Sequence, residues 1–197
     1  MMTSMFAKWL AVSLLALSLA ACTPAEPSLT LKATDISSAD FGQPFTLTGH
    51  DGKPHALGDY QGKAVALFFG YTHCPDICPT TMLEYQQVMK LLGKDSDRVQ
   101  VLFVSIDPQR DTPQVLAGYV PFFDKRFMGL TGSAEQVAKV AAQYKIVAQR
   151  QDRADGGYTM DHSAGSYLFD TAGKLRVYVP YGTPAVDIAH DLQQLLR

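Results

Sequence analysis

Cys74 and Cys78 are the residues of this sequence best suited to chemistry. They lie in the segment YTHCPDICPTT, residues 71–81, where three residues separate them. Such a pair can exchange electrons as a disulfide, or its two thiolates can bind a soft metal ion. A disulfide between residues four apart closes too short a loop to stabilise a fold appreciably. The pair therefore indicates chemistry, and its spacing alone does not separate redox exchange from metal binding.

The sequence after the first cysteine predicts a helix start. Residues 79–92 carry apolar side chains at helical spacing and end before Gly93, a common helix terminator. Pro79 suits the first helical turn, which places Cys78 at the cap and Cys74 on the preceding loop. Free backbone N–H groups and the helix dipole are expected to lower the pKa of both thiols there.

The order of predicted elements indicates an α/β fold. FTLTGHDGKPHAL reads as a β-hairpin with an Asp-Gly turn, and Ala64–Gly70 and residues 99–106 read as buried strands. Helices are predicted to start at Thr112-Pro113, after a capping box at Ser133, and at Thr183-Pro184, with a strand pair at residues 166–169 and 175–179. A buried strand that leads into a cysteine loop, with a late hairpin and a terminal helix, resembles the thioredoxin-like architecture. The expected domain is a central mixed sheet flanked by helices, with an N-terminal β-hairpin.

Two sulfurs leave a copper(I) ion short of a three-coordinate shell, so a histidine is sought as the third ligand. His50 and His55 flank the hairpin turn and are expected to be solvated. His73 adjoins Cys74 and should point away from it, and His190 is expected on a helix surface.

His162 is the candidate for the third ligand. It lies in GGYTMDHSAGSYLFD, just before the predicted strand at residues 166–169. Thioredoxin-like proteins usually place a cis-proline that faces the cysteines near this point, here Ala164, and the sequence has no proline there. We expect His162 to face the cysteine loop, with Asp161 or a backbone carbonyl bound to its other ring nitrogen. A buried histidine with a purely structural role is the alternative.

Three motifs together resemble the Sco/SenC family of copper chaperones for cytochrome c oxidase. They are GYTHCPDICPTT, SIDPQRDTP and MDHSAGSYLFD, and the resemblance extends from about residue 45 to residue 196. It implies that Cys74, Cys78 and His162 are the copper ligands of a membrane-anchored thioredoxin-like domain that helps to build the binuclear copper site of the oxidase. Two thiolates and an imidazole suit Cu(I), with Cu(II) as a second possibility. Zinc is less well served, because no fourth cysteine or histidine is well placed.

Other parts of the chain are assigned simpler roles. In SIDPQRDTP, residues 105–113, Asp111 is interpreted as part of a turn and helix cap, while Arg110 could brace the turn or face a docking partner. Phe122, Phe123 and Phe127 are predicted to be core residues.

Residues 1–21 are predicted to be a lipoprotein signal peptide. Lys8 precedes an apolar stretch that is too short to span a membrane, and Leu19-Ala20-Ala21-Cys22 resembles a bacterial lipobox. The resemblance implies cleavage before Cys22 and lipidation of its thiol, which would anchor the protein on a membrane facing the periplasm, the inner rather than the outer one. An ordinary signal peptide with a chance cysteine is the alternative. Residues 22–40 are predicted to be a flexible tether, and residues 41–197 the copper-binding domain.

Composition limits the range of functions. Apolar residues make up 47% of the chain and charged residues 18%, which is enough for a compact core. The net charge of −2 and the absence of a basic block argue against nucleic acid as a partner.

Two functions fit the cysteine pair and the family resemblance: a copper carrier that takes Cu(I) from a donor protein and passes it to the copper-site subunit of the oxidase, or a thiol–disulfide reductase that keeps that subunit's cysteines reduced. A carrier needs no turnover chemistry and would not be an enzyme.

Overall fold

The computed structural model describes residues 29–154 and 156–197, and these residues form four α-helices and ten strands. The predicted signal peptide, the lipidated cysteine and the first part of the tether lie outside them. The helices are α1 (Ile77–Leu92), α2 (Pro113–Phe123), α3 (Ala134–Gln143) and α4 (Ala185–Leu195). The strands are β1 (Thr34–Asp35), β2 (Thr46–Gly49), β3 (Pro54–Ala56), β4 (Ala64–Gly70), β5 (Val99–Ser105), β6 (Met128–Thr131), β7 (Ala148–Asp152), β8 (Tyr158–His162), β9 (Gly165–Phe169) and β10 (Leu175–Pro180).

Eight strands form one mixed sheet in the order β1-β10-β9-β4-β5-β6-β2-β3. Strand β4 pairs parallel with β5 and antiparallel with β9, so it lies at the centre of the sheet. All seven of its residues are buried, which explains why its sequence, AVALFFG, is continuously apolar. The α/β class, the mixed central sheet and the N-terminal β2–β3 hairpin, in which Thr46 pairs with Ala56, are confirmed.

Successive side chains of β4 face opposite sides of the sheet and enter two separate cores. Ala66 and Phe68 pack with apolar side chains of α1, α2 and α4. Leu67 and Phe69 pack on the other side with α3 and with the β2–β3 hairpin. This second core also contains Cys78, so the cysteine loop is part of the packed interior.

The predicted helix starts are confirmed at α2 and α3. The Thr112 hydroxyl accepts a hydrogen bond from the Val115 N–H, with Pro113 in the first helical turn. At α3, the Ser133 hydroxyl accepts from the Gln136 N–H, and the Gln136 side chain accepts from the Ser133 N–H. Both starts follow from local side-chain chemistry alone.

The N-terminal boundary of the domain differs from the predicted one. Residues 34 and 35, which the sequence analysis assigned to the tether, form β1 and pair with β10 at the sheet edge. The backbone N–H groups of Lys32 and Ala33 also donate to the buried carboxylate of Asp191 on α4. The packed domain therefore begins before residue 41.

One further prediction is corrected, and one hairpin was missing from the prediction. Phe122 is 81% exposed, although its neighbour Phe123 and Phe127 are buried as predicted. Strands β7 and β8 were not predicted, and they form a separate two-stranded hairpin that ends at His162. Within the described ranges, no helix has the length and apolar character that crossing a membrane requires.

Candidate metal centre

The cysteine loop leaves the central strand β4 and turns directly into α1. The helix begins at Ile77, two residues earlier than predicted, so Cys78 lies in its first turn. The Cys78 N–H group points at the Cys74 sulfur, with an N–Sγ distance of 3.4 Å. Cys78 is 1% exposed and Cys74 is half-buried. An ion could therefore enter from the side of Cys74 and reach Cys78 last.

Gly70, the last residue of β4, gives the Cys78 sulfur its space. A Cβ atom at this position would lie 2.7 Å from Cys78 Sγ and 2.8 Å from the Phe103 ring. Any side chain would thus displace the sulfur or the ring. The sequence alone does not reveal this role, because a glycine at the end of a strand is not distinctive until the fold places the sulfur beside it.

His162 reaches the cysteines from the far end of the chain. Its Nε2 atom lies 3.7 Å from Cys78 Sγ, and its Nδ1 atom lies 2.9 Å from the Ser163 carbonyl oxygen. Only a protonated Nδ1 can donate to a carbonyl, so the Nε2 lone pair faces the sulfurs. The predicted second contact of the ring is therefore made by a backbone carbonyl. The Tyr71 ring packs edge-on against the imidazole, with centroids 6.0 Å apart.

The structure brings together the three residues proposed as ligands. The sulfurs of Cys74 and Cys78 and a ring nitrogen of His162 all lie within 4.8 Å of one another. Three ligands arranged trigonally around one ion, with bonds of about 2.0–2.3 Å, would be separated by about 3.5–4.0 Å. Closure onto an ion therefore requires movements of no more than about 1 Å by this comparison. Within the described part of the chain, this is the cluster whose donors fit a metal ion.

Burial sets the protonation states at the site. It raises the pKa of the Cys78 thiol well above its ordinary value, which corrects the expectation that the helix start would lower it. Desolvation outweighs the helix dipole here because Cys78 faces the core. Burial also lowers the pKa of His162, so its imidazole is neutral at pH 7. The metal-free site therefore holds a Cys78 thiol beside a neutral imidazole, and the thiol proton must leave when a metal binds.

The other histidines have partners elsewhere. His50 accepts from the Gly129 N–H, and His55 contacts Asp51 and Tyr60, so both are half-buried rather than solvated. His73 is exposed and its ring contacts the neighbouring Thr72 hydroxyl. Partly exposed His190 bonds to Asp191 on α4. None of these four residues belongs to the cluster formed by the two cysteines and His162.

The SCO1/SenC family profile matches residues 33–197, which is most of the chain. The chain belongs to this family. As a SCO1/SenC protein it shares the thioredoxin-like fold of the Sco structures, which confirms the predicted architecture. Its two thiols and one imidazole fit a copper site.

Individual relatives support the assignment. The chain is 37% identical over 163 residues to the mitochondrial SCO2 homolog of Bos taurus, covering 81% of this chain and 61% of that protein. It is 34% identical over 165 residues to the SCO2-like protein of Rickettsia felis, covering 83% of this chain and 80% of that protein. The chain thus spans less than two thirds of the bovine relative's length.

A solved structure gives the same result. ScoI of Bradyrhizobium japonicum, determined with copper bound, is 40% identical and superposes with a TM-score of 0.74. The match covers 79% of this chain and 99% of that structure. The similarity therefore extends over almost the whole of that copper-binding domain.

Proposed function

We propose that this SCO1/SenC protein carries Cu(I) to the binuclear copper site of cytochrome c oxidase, with Cys74, Cys78 and His162 as its ligands. The observation that carries the proposal is the convergence of two sulfurs and the Nε2 lone pair within 4.8 Å. Two soft donors and one borderline donor match Cu(I) better than a hard ion. The copper-bound ScoI structure, at 40% identity, supports copper as the metal.

The geometry suggests how copper is taken up and released. A copper donor protein first meets Cys74, which is the more accessible thiol. The ion then displaces the proton of Cys78, and the neutral His162 ring closes the shell without losing a proton of its own. Release to the copper-site subunit reverses these steps by ligand exchange, since a partner thiolate can replace Cys74 before the Cys78 sulfur dissociates from copper.

A second candidate is a thiol–disulfide reductase that acts on the cysteines of the same subunit. It is favoured by two free cysteines whose sulfurs lie within 4.8 Å of each other. Cys78 is a poor attacking group because burial keeps it protonated, so Cys74 would attack and Cys78 would resolve the mixed disulfide. His162 has no required part in this exchange.

We further propose that the protein is exported and held on the periplasmic face of the inner membrane by lipid on Cys22. Support comes from the lipobox-like sequence at residues 19–22. A SCO1/SenC family lipoprotein of Bacillus anthracis is also a structural neighbour, at 25% identity and a TM-score of 0.70. A membrane location would place the copper site near a membrane-bound oxidase.

The decisive experiment replaces His162. Anaerobic competition with a chromophoric Cu(I) chelator measures the affinity of the parent, of His162→Ala and of a matched control, His73→Ala. We expect His162→Ala to weaken Cu(I) binding by at least about 10- to 100-fold, because the loss of a group that only supports a metal ligand already has an effect of this size. His73→Ala should bind Cu(I) like the parent. Reduction of an oxidised dithiol peptide, measured on the same proteins, tests the second candidate.

The outcomes separate the two functions. A His162→Ala protein that binds Cu(I) like the parent would contradict the carrier with this ligand set. Equal peptide reduction by the parent and His162→Ala, without tight copper binding by either, would favour the reductase. Loss of copper affinity alone supports the carrier.

A further inference from the structure

The segment SIDPQRDTP, residues 105–113, contributes no ligand to the metal cluster, yet it contacts both halves of it. It connects β5 to α2 and contains three charged residues, Asp107, Arg110 and Asp111. The two aspartates are buried, which is costly unless their carboxylates are fully engaged. Their partners lie on the cysteine loop and on the hairpin that carries His162.

Asp111 holds the cysteine loop. Its side chain is fully buried and accepts hydrogen bonds from the Thr72 N–H at 3.1 Å and from the Thr72 hydroxyl at 2.6 Å. The Ser105 hydroxyl donates to the same carboxylate at 2.7 Å. Thr72 lies two residues before Cys74. The buried Asp111 carboxyl group therefore fixes the start of the cysteine loop, in addition to the loop's own turn bond from the Cys74 N–H to the Tyr71 carbonyl.

Asp107 and Arg110 hold the β7–β8 hairpin through Tyr158. The Tyr158 hydroxyl donates to Asp107 Oδ1 at 2.9 Å, and Arg110 Nη1 donates to the Tyr158 carbonyl at 3.0 Å. Arg110 is also ion-paired with Asp107. Its guanidinium carbon lies 3.6 Å from the Tyr158 ring centroid, and that of Arg150 lies 3.7 Å from it. Two guanidinium groups this close to one ring must occupy opposite faces, so the ring is clamped between them.

The clamp acts on the end of the hairpin that has no other strand to hold it. Strands β7 and β8 pair with each other and not with the eight-stranded sheet. Tyr158 begins β8 near the turn of the hairpin, and His162 ends it, about 13 Å away along an extended strand. Arg110 also lies over the Tyr71 ring, which packs against the His162 ring. The angle of β8, and with it the position of His162, thus depends on Arg110 and Tyr158, together with Tyr71, whose hydroxyl is hydrogen-bonded to the Met160 backbone.

We propose that residues 105–111 act as a shared brace that sets the distance between the two sulfurs and the imidazole. Asp111 positions the cysteine loop through Thr72, and Asp107 and Arg110 position His162 through Tyr158. The inference rests on the proposed ligand set and deepens it, because it names residues that touch no metal and yet determine whether all three ligands reach one ion. Without the brace, the thiols and the imidazole would keep their chemistry but would no longer be held at the distance that one ion requires.

Tyr158→Leu tests the hairpin side. It removes the hydroxyl contact with Asp107 and the ring between the two arginines. We expect Cu(I) affinity to fall by about 10-fold or more, as for other groups that support a ligand. X-ray absorption at the copper edge should show the nitrogen contribution lost or reduced while the two sulfurs remain. Tyr158→Phe, which keeps the ring, should retain nitrogen ligation, and the exposed hairpin substitution Gln149→Ala should match the parent.

Thr72→Val tests the loop side. Valine keeps the shape of threonine and the backbone N–H contact, and it removes the hydroxyl bond to Asp111 together with the hydroxyl contact to the exposed His73 ring. We expect weaker Cu(I) binding. The X-ray absorption spectrum should still show both sulfurs, with a greater spread in their distances from copper. Thr46→Val, at an exposed strand position, is the matched control for the same change of residue type.

A coupling measurement distinguishes positioning from general destabilisation. If the brace places His162, then His162→Ala should cost less affinity in the Tyr158→Leu protein than in the parent. The brace is refuted if folded Tyr158→Leu retains the parent's affinity and nitrogen ligation. Should that variant fail to fold, Tyr158→Phe and Thr72→Val decide, and parent-like copper binding with undisturbed sulfur scattering in Thr72→Val refutes the loop side. A parent without nitrogen ligation would instead overturn the proposed ligand set.

Discussion

At the scale of single residues, the site combines a buried thiol with a neutral imidazole. The Cys78 thiol and the His162 ring are each kept uncharged by burial, and their polar atoms face each other at 3.7 Å. An uncharged pair costs far less to bury than a thiolate and an imidazolium. The metal-free protein can therefore keep these ligands close together in uncharged form. When copper binds, its positive charge stabilises the thiolate that forms.

The raised pKa of Cys78 predicts a specific dependence of stability on pH. The folded protein retains this proton above pH 9, where the unfolded chain loses it, so the free energy of unfolding must fall as the pH rises. The contribution is intact below the ordinary thiol pKa and decreases by up to about 1.4 kcal/mol per pH unit above it. Denaturant unfolding of the metal-free, reduced protein between pH 8 and 10 measures the slope.

Two variants locate the effect. Cys78→Ala should have a shallower slope than the parent over this pH interval, whatever its effect on absolute stability, because one buried proton is gone. Buried tyrosines whose pKa is also raised, Tyr85 and Tyr144 among them, leave a residual slope in both proteins. Cys74→Ala should keep most of it, since burial is the largest cause of the raised pKa of Cys78. A slope as steep in Cys78→Ala as in the parent would show that Cys78 does not hold the proton responsible.

The sequence predicted which candidate donors lie together but not their protonation. Residue types, the order of the elements and the resemblance to the Sco/SenC family selected Cys74, Cys78 and His162 as candidates, and the structure places these three together. The direction of the Cys78 pKa shift was wrong because it was argued from the helix start, a local feature. Burial depends on what packs over the sulfur from distant parts of the chain, and local sequence does not encode that directly.

At the scale of elements, the strands that the sequence did not predict are those with a weak pattern of apolar residues. Strand β1 has two residues, and β7 is almost wholly exposed, so neither has an alternating or continuous apolar pattern. A signal for the second hairpin was present in Asp155-Gly156-Gly157, a turn-forming sequence between polar segments. Phe122 was assigned to the core by residue type, although its neighbour Phe123 occupies the inward face of α2.

The attachment of the N-terminal segment to α4 can be tested through Asp191. This buried carboxylate accepts the Lys32 N–H at 2.7 Å and the Ala33 N–H at 2.9 Å, just before β1. Asp191→Ala leaves both donors without this acceptor, and we expect the free energy of unfolding to fall by about 1–3 kcal/mol. Amide hydrogen exchange should accelerate at residues 32–35.

A control on the same helix is Gln193→Ala, which changes an exposed side chain of α4 and should alter stability by no more than about 0.5 kcal/mol. Copper affinity should be unchanged in both variants, since α4 contributes nothing to the metal cluster. Unchanged exchange at residues 32–35 in Asp191→Ala would mean that β1 pairing alone holds the segment.

At the scale of the whole molecule, the proposed lipid anchor and the proposed copper site use the same residue type for different purposes. The chain has three cysteines, and the proposed function assigns Cys22 to lipid and Cys74 and Cys78 to copper. A lipidated sulfur is a thioether, which is a much weaker ligand and nucleophile than a thiolate. Lipidation would therefore leave the two site cysteines as the only free thiols of the mature protein.

This division predicts the thiol count and the location together. Full-length protein produced in a bacterium that processes lipoproteins should enter the membrane fraction and show two thiols that react after denaturation. Cys22→Ser should lose the membrane association and still show two thiols, with unchanged Cu(I) affinity, because neither ligand sulfur is altered. Fractionation, thiol titration and mass spectrometry of the N-terminal peptide measure these quantities. Three reactive thiols in the membrane-bound parent would contradict the anchor, since Cys22 would then be free.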